Sequence, residues 1–169
     1  PGGGFLTAGG FFVHVPGYPS KATGAVSIFT SANSSFGKKQ ISTDKDSYFY
    51  HKAEFFDANN DGRYDVLAAR CFVPQYGLRA DKSELLWLEQ PATDGEPWVE
   101  HVLLSGGPDV GFVLVDLDEG RQRKDSTAAL QVVATEYFVN QRLALYWCNG
   151  SYWSSCDEDN IQTVVIDDT

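Results

Sequence analysis

With 169 residues, 43% of them hydrophobic and 14% aromatic, the chain has the material for one globular domain with a real core, not a disordered tail. No apolar run approaches the roughly 20 residues of a membrane-spanning helix, so membrane insertion is not expected. Thirteen Lys and Arg against 23 Asp and Glu leave a formal charge of −10, which argues against a nucleic-acid partner held through its phosphates.

Taken in chain order, short or alternating apolar runs predict strands over residues 5–14, 25–30, 48–56, 66–73, 84–89, 98–104, 111–116, 130–139, 142–148 and 162–166. They are rich in Val, Phe, Tyr, Trp and Leu and are bounded by turn-forming residues. No long window keeps a 3.6-residue apolar stripe, so the expected class is all-β.

These runs recur in a fixed order. Phe5-Leu6-Thr7-Ala8-Gly9-Gly10 resembles Val66-Leu67-Ala68-Ala69-Arg70-Cys71 and Val132-Val133-Ala134-Thr135-Glu136-Tyr137. Ala25 to Phe29, Glu84 to Leu88 and Arg142 to Tyr146 form the second matching set. Each is followed by a turn, an aromatic residue (Phe36, Trp98, Trp153) and a strand ending at Ile41, Leu104 or Ile166. A repeated four-strand unit predicts β-propeller blades, against a β-sandwich with coincidentally similar strands. Acidic loops opening at Asp57 and Asp116 are 59 residues apart. The chain thus holds just under three such units, whereas propellers close with about four to eight. The expected division is an incomplete blade over 1–42, a complete blade over 43–104 and a third over 105–169. The chain has no methionine, even at position 1, and is read as a processed or partial product. Further blades, from the same or another chain, are expected to cover the faces around Phe5 to Phe12 and around Val132 to Tyr146.

The sharpest local motif is Asp57-Ala58-Asn59-Asn60-Asp61-Gly62-Arg63-Tyr64-Asp65. Oxygen-bearing side chains stand at alternate places, and Gly62 allows a sharp turn. A hard cation such as Ca²⁺ takes about 6–8 oxygens, here from Asp57, Asn59, Asp61, the Arg63 carbonyl and Asp65, completed by water. Ala68 stands where an EF-hand needs its bidentate Glu, and both flanks read as strands, so the expected loop lies on a β-hairpin. The competing reading is a solvated acidic turn. The second loop keeps Asp116, Asp118 and Asp125 but loses the Asp-Gly step and gains Arg121, Arg123 and Lys124. It reads either as a degenerate calcium site or as an internal salt bridge.

The stretch from Phe55 to Leu67, with the Leu86-Trp87-Leu88-Glu89 and Trp98 to Leu103 strands, resembles the FG-GAP/VCBS repeat family. That resemblance implies a calcium-stapled propeller, typically extracellular and often a binding or scaffold module. Such repeats also occur in lectins, integrin-like adhesion heads and accessory domains of carbohydrate-active enzymes.

Cys148 and Cys156 flank a turn-rich interval and are expected to pair, against three reduced thiols, while Cys71 reads as buried and free. Asn33-Ser34-Ser35 and Asn149-Gly150-Ser151 are glycosylation triplets in expected turns. Together these point to a secreted or cell-surface setting. His14, His51 and His101 show no paired metal spacing, and no nucleophile or phosphate-binding motif is present. Glu54, Glu84, Glu89 and Glu136 are expected to face solvent from strands. Most tryptophans read as packing, with Tyr152 or Trp153 the aromatics placed for sugar stacking. The expected function is non-catalytic: an extracellular calcium-binding scaffold for a protein or glycan. The alternatives are a lectin, or the propeller domain of a carbohydrate-active enzyme whose catalytic residues lie elsewhere.

Overall fold

The computed structural model describes residues 4–10, 24–32, 35–45, 47–72, 80, 82–117, 130–149 and 152–168. Within them, strands build three antiparallel meanders, none closed on itself. The first joins β1 (Gly4–Ala8), β2 (Val26–Ala32) and β3 (Ser35–Gln40). The second joins β4 (Tyr48–Phe56), β5 (Asp65–Phe72), β6 (Lys82–Glu89) and β7 (Val99–Ser105). The third joins β8 (Gly111–Val115), β9 (Gln131–Glu136), β10 (Arg142–Cys148) and β11 (Ile161–Asp167). The helical turns among the described residues are two short 3₁₀ segments, Trp153–Ser155 and Glu158–Asn160.

Positions aligned by the sequence repeat pair at the same register in each sheet. Phe5 lies opposite Phe29, Val66 opposite Leu88, and Val132 opposite Tyr146. One strand further in, Phe55 meets Val66 and Leu114 meets Val132.

The sheets also use their faces in the same sense. Successive side chains on a strand point to opposite faces. In the central sheet Val66, Ala68, Leu86 and Leu88 pack against Leu6, Val26 and Ile28 of the first. On its other side, Leu67, Ala69, Leu85 and Trp87 pack against Val132, Ala134, Ala144 and Tyr146 of the third. Val66, Ala68, Leu86 and Leu88 align with those same four residues of the third sheet. With both faces covered, β5 is apolar from Val66 to Ala69 without alternation, as a doubly buried strand must be. The face around Val132 and Tyr146, expected to await an outside partner, is therefore covered within the chain. The reverse face of that sheet keeps Val113 half exposed, and the outer face of the first sheet keeps Phe5 similarly open.

Two strand ends differ from expectation. The described part of β1 ends at Ala8, and residues 11–23 lie outside the described set. β9 stops at Glu136 and not 139 because the N–H groups of Tyr137, Phe138 and Val139 turn onto Asp109 instead of a strand.

Cys148 and Cys156 form a disulfide, with Cα atoms 6.0 Å apart, and Cys71 is buried and free. The disulfide encloses Trp153, whose buried indole N–H donates to the Leu130 carbonyl. Trp153 is thus a packing residue and offers no face to a sugar. Closing so short a loop is worth about 2.5 kcal/mol in chain entropy. Reduction is expected to lower the urea midpoint accordingly, and an unchanged midpoint after verified reduction would refute this.

Candidate functional site

The loop between β4 and β5 carries the candidate cation ligands. Asn60 and Gly62 both take positive φ, 59° and 81°. A Cβ on Gly62 would meet nothing within 4 Å, so glycine is needed there for its backbone freedom and not for space. The turn coils around Asp57, whose two oxygens accept the N–H groups of Asp61 (3.1 Å) and Gly62 (2.9 Å). Asn59 Oδ1 accepts the Asp61 N–H, and Asp61 accepts the Arg63 N–H while pairing with the Arg63 guanidinium.

Asp65 is fully buried and binds two separate segments. Its oxygens accept the N–H of Ala58 at 3.0 Å and of Gln90 at 2.8 Å. Burial pushes its carboxyl up to about 6; the two backbone bonds oppose the rise, and the charges of Asp61 and Asp57 add to it. The expected ligand residues therefore share one loop and repel one another. Hard oxygen donors suit a hard cation. In this geometry the oxygens turn toward backbone N–H groups, and among the described residues no three Asp, Glu, His or Cys side chains converge in ligating geometry.

The third sheet shows how that anchor works without charge. Gln131 stands in the register place of Asp65, and its Oε1 accepts the Leu117 N–H at 2.9 Å, as Asp65 accepts that of Ala58. Spacing points to Asp116, Asp118 and Asp125 for this loop. Asp116 is exposed, and Asp118, Asp125 and the basic residues between them lie outside the described set. The glycosylation candidates divide likewise: Asn149 is exposed in the turn after β10, and Asn33 lies outside the described residues.

Two of the glutamates expected to face solvent do not. Glu84 lies directly across from Arg70 on β5, and Glu136 directly across from Arg142 on β10. The Arg70 guanidinium is fully buried. Its Nε donates to Glu84 at 2.6 Å, and its Nη1 donates to Glu100 at 2.6 Å and to the Tyr50 hydroxyl at 3.2 Å. All four strands of the central sheet thus contribute to one ion cluster, with the Tyr48 ring 4.9 Å from the guanidinium carbon. Burial alone would raise the Glu100 carboxyl; Arg70, Thr43 and Lys45 outweigh it and hold it below its ordinary value.

In the third sheet the signs are exchanged. Buried Glu136 accepts from Arg142 Nε at 2.9 Å, from the Tyr146 hydroxyl and from Asn140. Arg142 also donates to the Tyr146 oxygen at 3.0 Å. Burial raises the Tyr146 hydroxyl, and Glu136 raises it further. Sequence reasoning missed both clusters, although opposite charges at aligned places in apolar runs were a usable signal.

Among the histidines, His101 stacks on Trp87 with ring centroids 4.3 Å apart and bonds to Glu89, a satisfied structural role. His51 is half buried, and burial lowers its pKa. His14 lies outside the described residues.

A cleft of about 450 Å³ opens beside the Glu136 cluster, bounded by the β9–β10 turn and the end of β11.

No family model, curated protein or solved structure matches the chain.

Proposed function

We propose that the chain supplies three consecutive blades, over 1–42, 43–104 and 105–169, of a calcium-stapled β-propeller of the FG-GAP/VCBS kind. In this reading the protein is a secreted or cell-surface scaffold that binds a protein or glycan and carries N-glycan at Asn149, at Asn33 or at both. The observation that carries it is the stacking sense of the sheets. Each interface sets the Leu67-type face of one sheet on the Val66-type face of the next, a head-to-tail arrangement that continues until it closes. The half-open face of the third sheet and the outer face of the first are the two faces such a ring would close, by further blades from the same or another chain.

Ca²⁺ would be held by Asp57, Asn59, Asp61, the Arg63 carbonyl and Asp65. Its chemistry is electrostatic: it offsets the mutual repulsion of three carboxylates in one turn. At saturating Ca²⁺ the melting temperature is expected to rise by about 5–10 °C over the EDTA-treated protein. Asp61→Asn should abolish that rise with little cost to the metal-free protein, since Asp61 sits at the exposed tip of the turn. Identical melting curves with Ca²⁺ and with EDTA would overturn the metal assignment.

A further inference from the structure

The cleft beside the β9–β10 turn has features that metal stapling and sheet stacking do not require. Tyr137, at the start of the turn, is 69% exposed, yet its backbone N–H is fixed to the buried Asp109 carboxylate at 2.7 Å. Its ring is braced edge-on by Phe138, with centroids 5.2 Å apart. Gln141 closes the turn with φ of 54°, a left-handed conformation that costs a non-glycine residue energy. Across the cleft lies Asp167, directly opposite Leu143 on β10.

Arg142 also lines the cleft. Glu136 and the Tyr146 hydroxyl hold its Nε and Nη2 and lock the plane of the guanidinium. Nη1 carries none of these bonds, and the side chain remains 26% exposed. Because buried Glu136 neutralises its charge, the group offers directional donors without a net positive field. A strongly anionic ligand would gain little there and would meet a chain of net charge −10.

We infer that this cleft binds a neutral hexose unit of a glycan, stacked on Tyr137 and hydrogen-bonded between Arg142, Gln141 and Asp167. A pyranose presents an apolar C–H face for an aromatic ring and a rim of hydroxyls that both donate and accept. The cleft supplies the matching set: an exposed ring, a fixed donor, an acceptor carboxylate and an amide that does both. Its volume is in the lower part of the roughly 300–1,000 Å³ range of small-ligand sites, the scale of one or two sugar rings. The inference specifies the ligand of the scaffold reading and rests on it.

The test is a titration of the whole chain with methyl glucoside, galactoside and mannoside, followed by ligand-observed NMR. A uronic acid serves as the anionic comparison. At least one neutral glycoside should bind, and the uronic acid should bind more weakly. Tyr137→Ala and Asp167→Asn should each weaken binding by about tenfold. Tyr64→Ala, which removes an equally exposed ring at the metal loop, should leave binding unchanged. The proposal is overturned if no neutral glycoside binds, if the uronic acid binds best, or if Tyr137→Ala binds as the native chain does. Retention of the Ca²⁺-dependent melting shift in such a case would sink this site alone and leave the scaffold reading standing.

Discussion

Arg70→Met is expected to destabilise the protein by about 3–5 kcal/mol, measured by urea unfolding at neutral pH. The substitution removes the one cation that Glu84 and Glu100 share, and their side chains are only 19% and 10% exposed. Lys45 and Thr43 still reach Glu100, while Glu84 keeps the Tyr48 hydroxyl at 3.5 Å and, among the described residues, has no second cation. The triple variant Arg70→Met, Glu84→Leu, Glu100→Leu should recover most of the loss, because a well-packed apolar set of similar volume needs no charge partner. The acid limb checks the same cluster. A carboxyl held below its ordinary value lends stability that is complete above that value, 4.5 for Glu100, and is lost as pH falls through the lowered one. The gap between native and Arg70→Met proteins should therefore narrow well below pH 4.5. A single variant within about 1 kcal/mol of native at neutral pH would refute the role assigned to Arg70.

Asp109→Ala should cost about 3–4 kcal/mol. Asp109 has no exposed surface, and its carboxylate accepts the N–H groups of Tyr137, Phe138 and Val139 at 2.7, 2.7 and 2.9 Å. Its own carbonyl accepts the Cys71 thiol at 3.0 Å, which ties the central sheet to the third. Asp109→Asn should cost roughly half as much, since one oxygen remains to accept. Hydrogen exchange locates the effect: amides 137–139 should lose protection before the strands on either side do. If those amides stay protected in the alanine variant, the turn is held by something else.

Much of the architecture was legible in the chain because it is written in local pattern. The apolar runs placed every described strand but β3, which the repeat supplied as a strand ending at Ile41, and aligning Phe5, Val66 and Val132 anticipated the register that the sheets adopt. The loop from Asp57 to Asp65 was legible because its residues are contiguous, and Gly62 takes the conformation its place in the turn demands. What escaped was contact across strands. Glu84 and Glu136 read as solvent-facing because alternation says which side of a strand a residue takes, not which partner lies beside it. Gln131 escaped because a neutral amide gives no charge signal, although it anchors its loop as Asp65 does. Asp109 escaped because its partners are backbone groups, which no side-chain pattern reports.

The exchanged signs of the two cross-strand pairs bear on how a chain with similarly patterned sheets avoids tangling. β5 and β9 carry almost the same apolar pattern, and so do β6 and β10, so a collapsing chain could join strands from different units. If β5 took β10 as its neighbour in the register it uses for β6, Arg70 would face Arg142. If β9 took β6, Glu136 would face Glu84. Either error would bury two like charges side by side at a cost of several kcal/mol. The first unit has Gly9 and Ala25 at this place and no charge to offer either partner. Each pair thus marks its own unit, and the residues that hold the correct hairpins together would place like charges opposite in swapped ones.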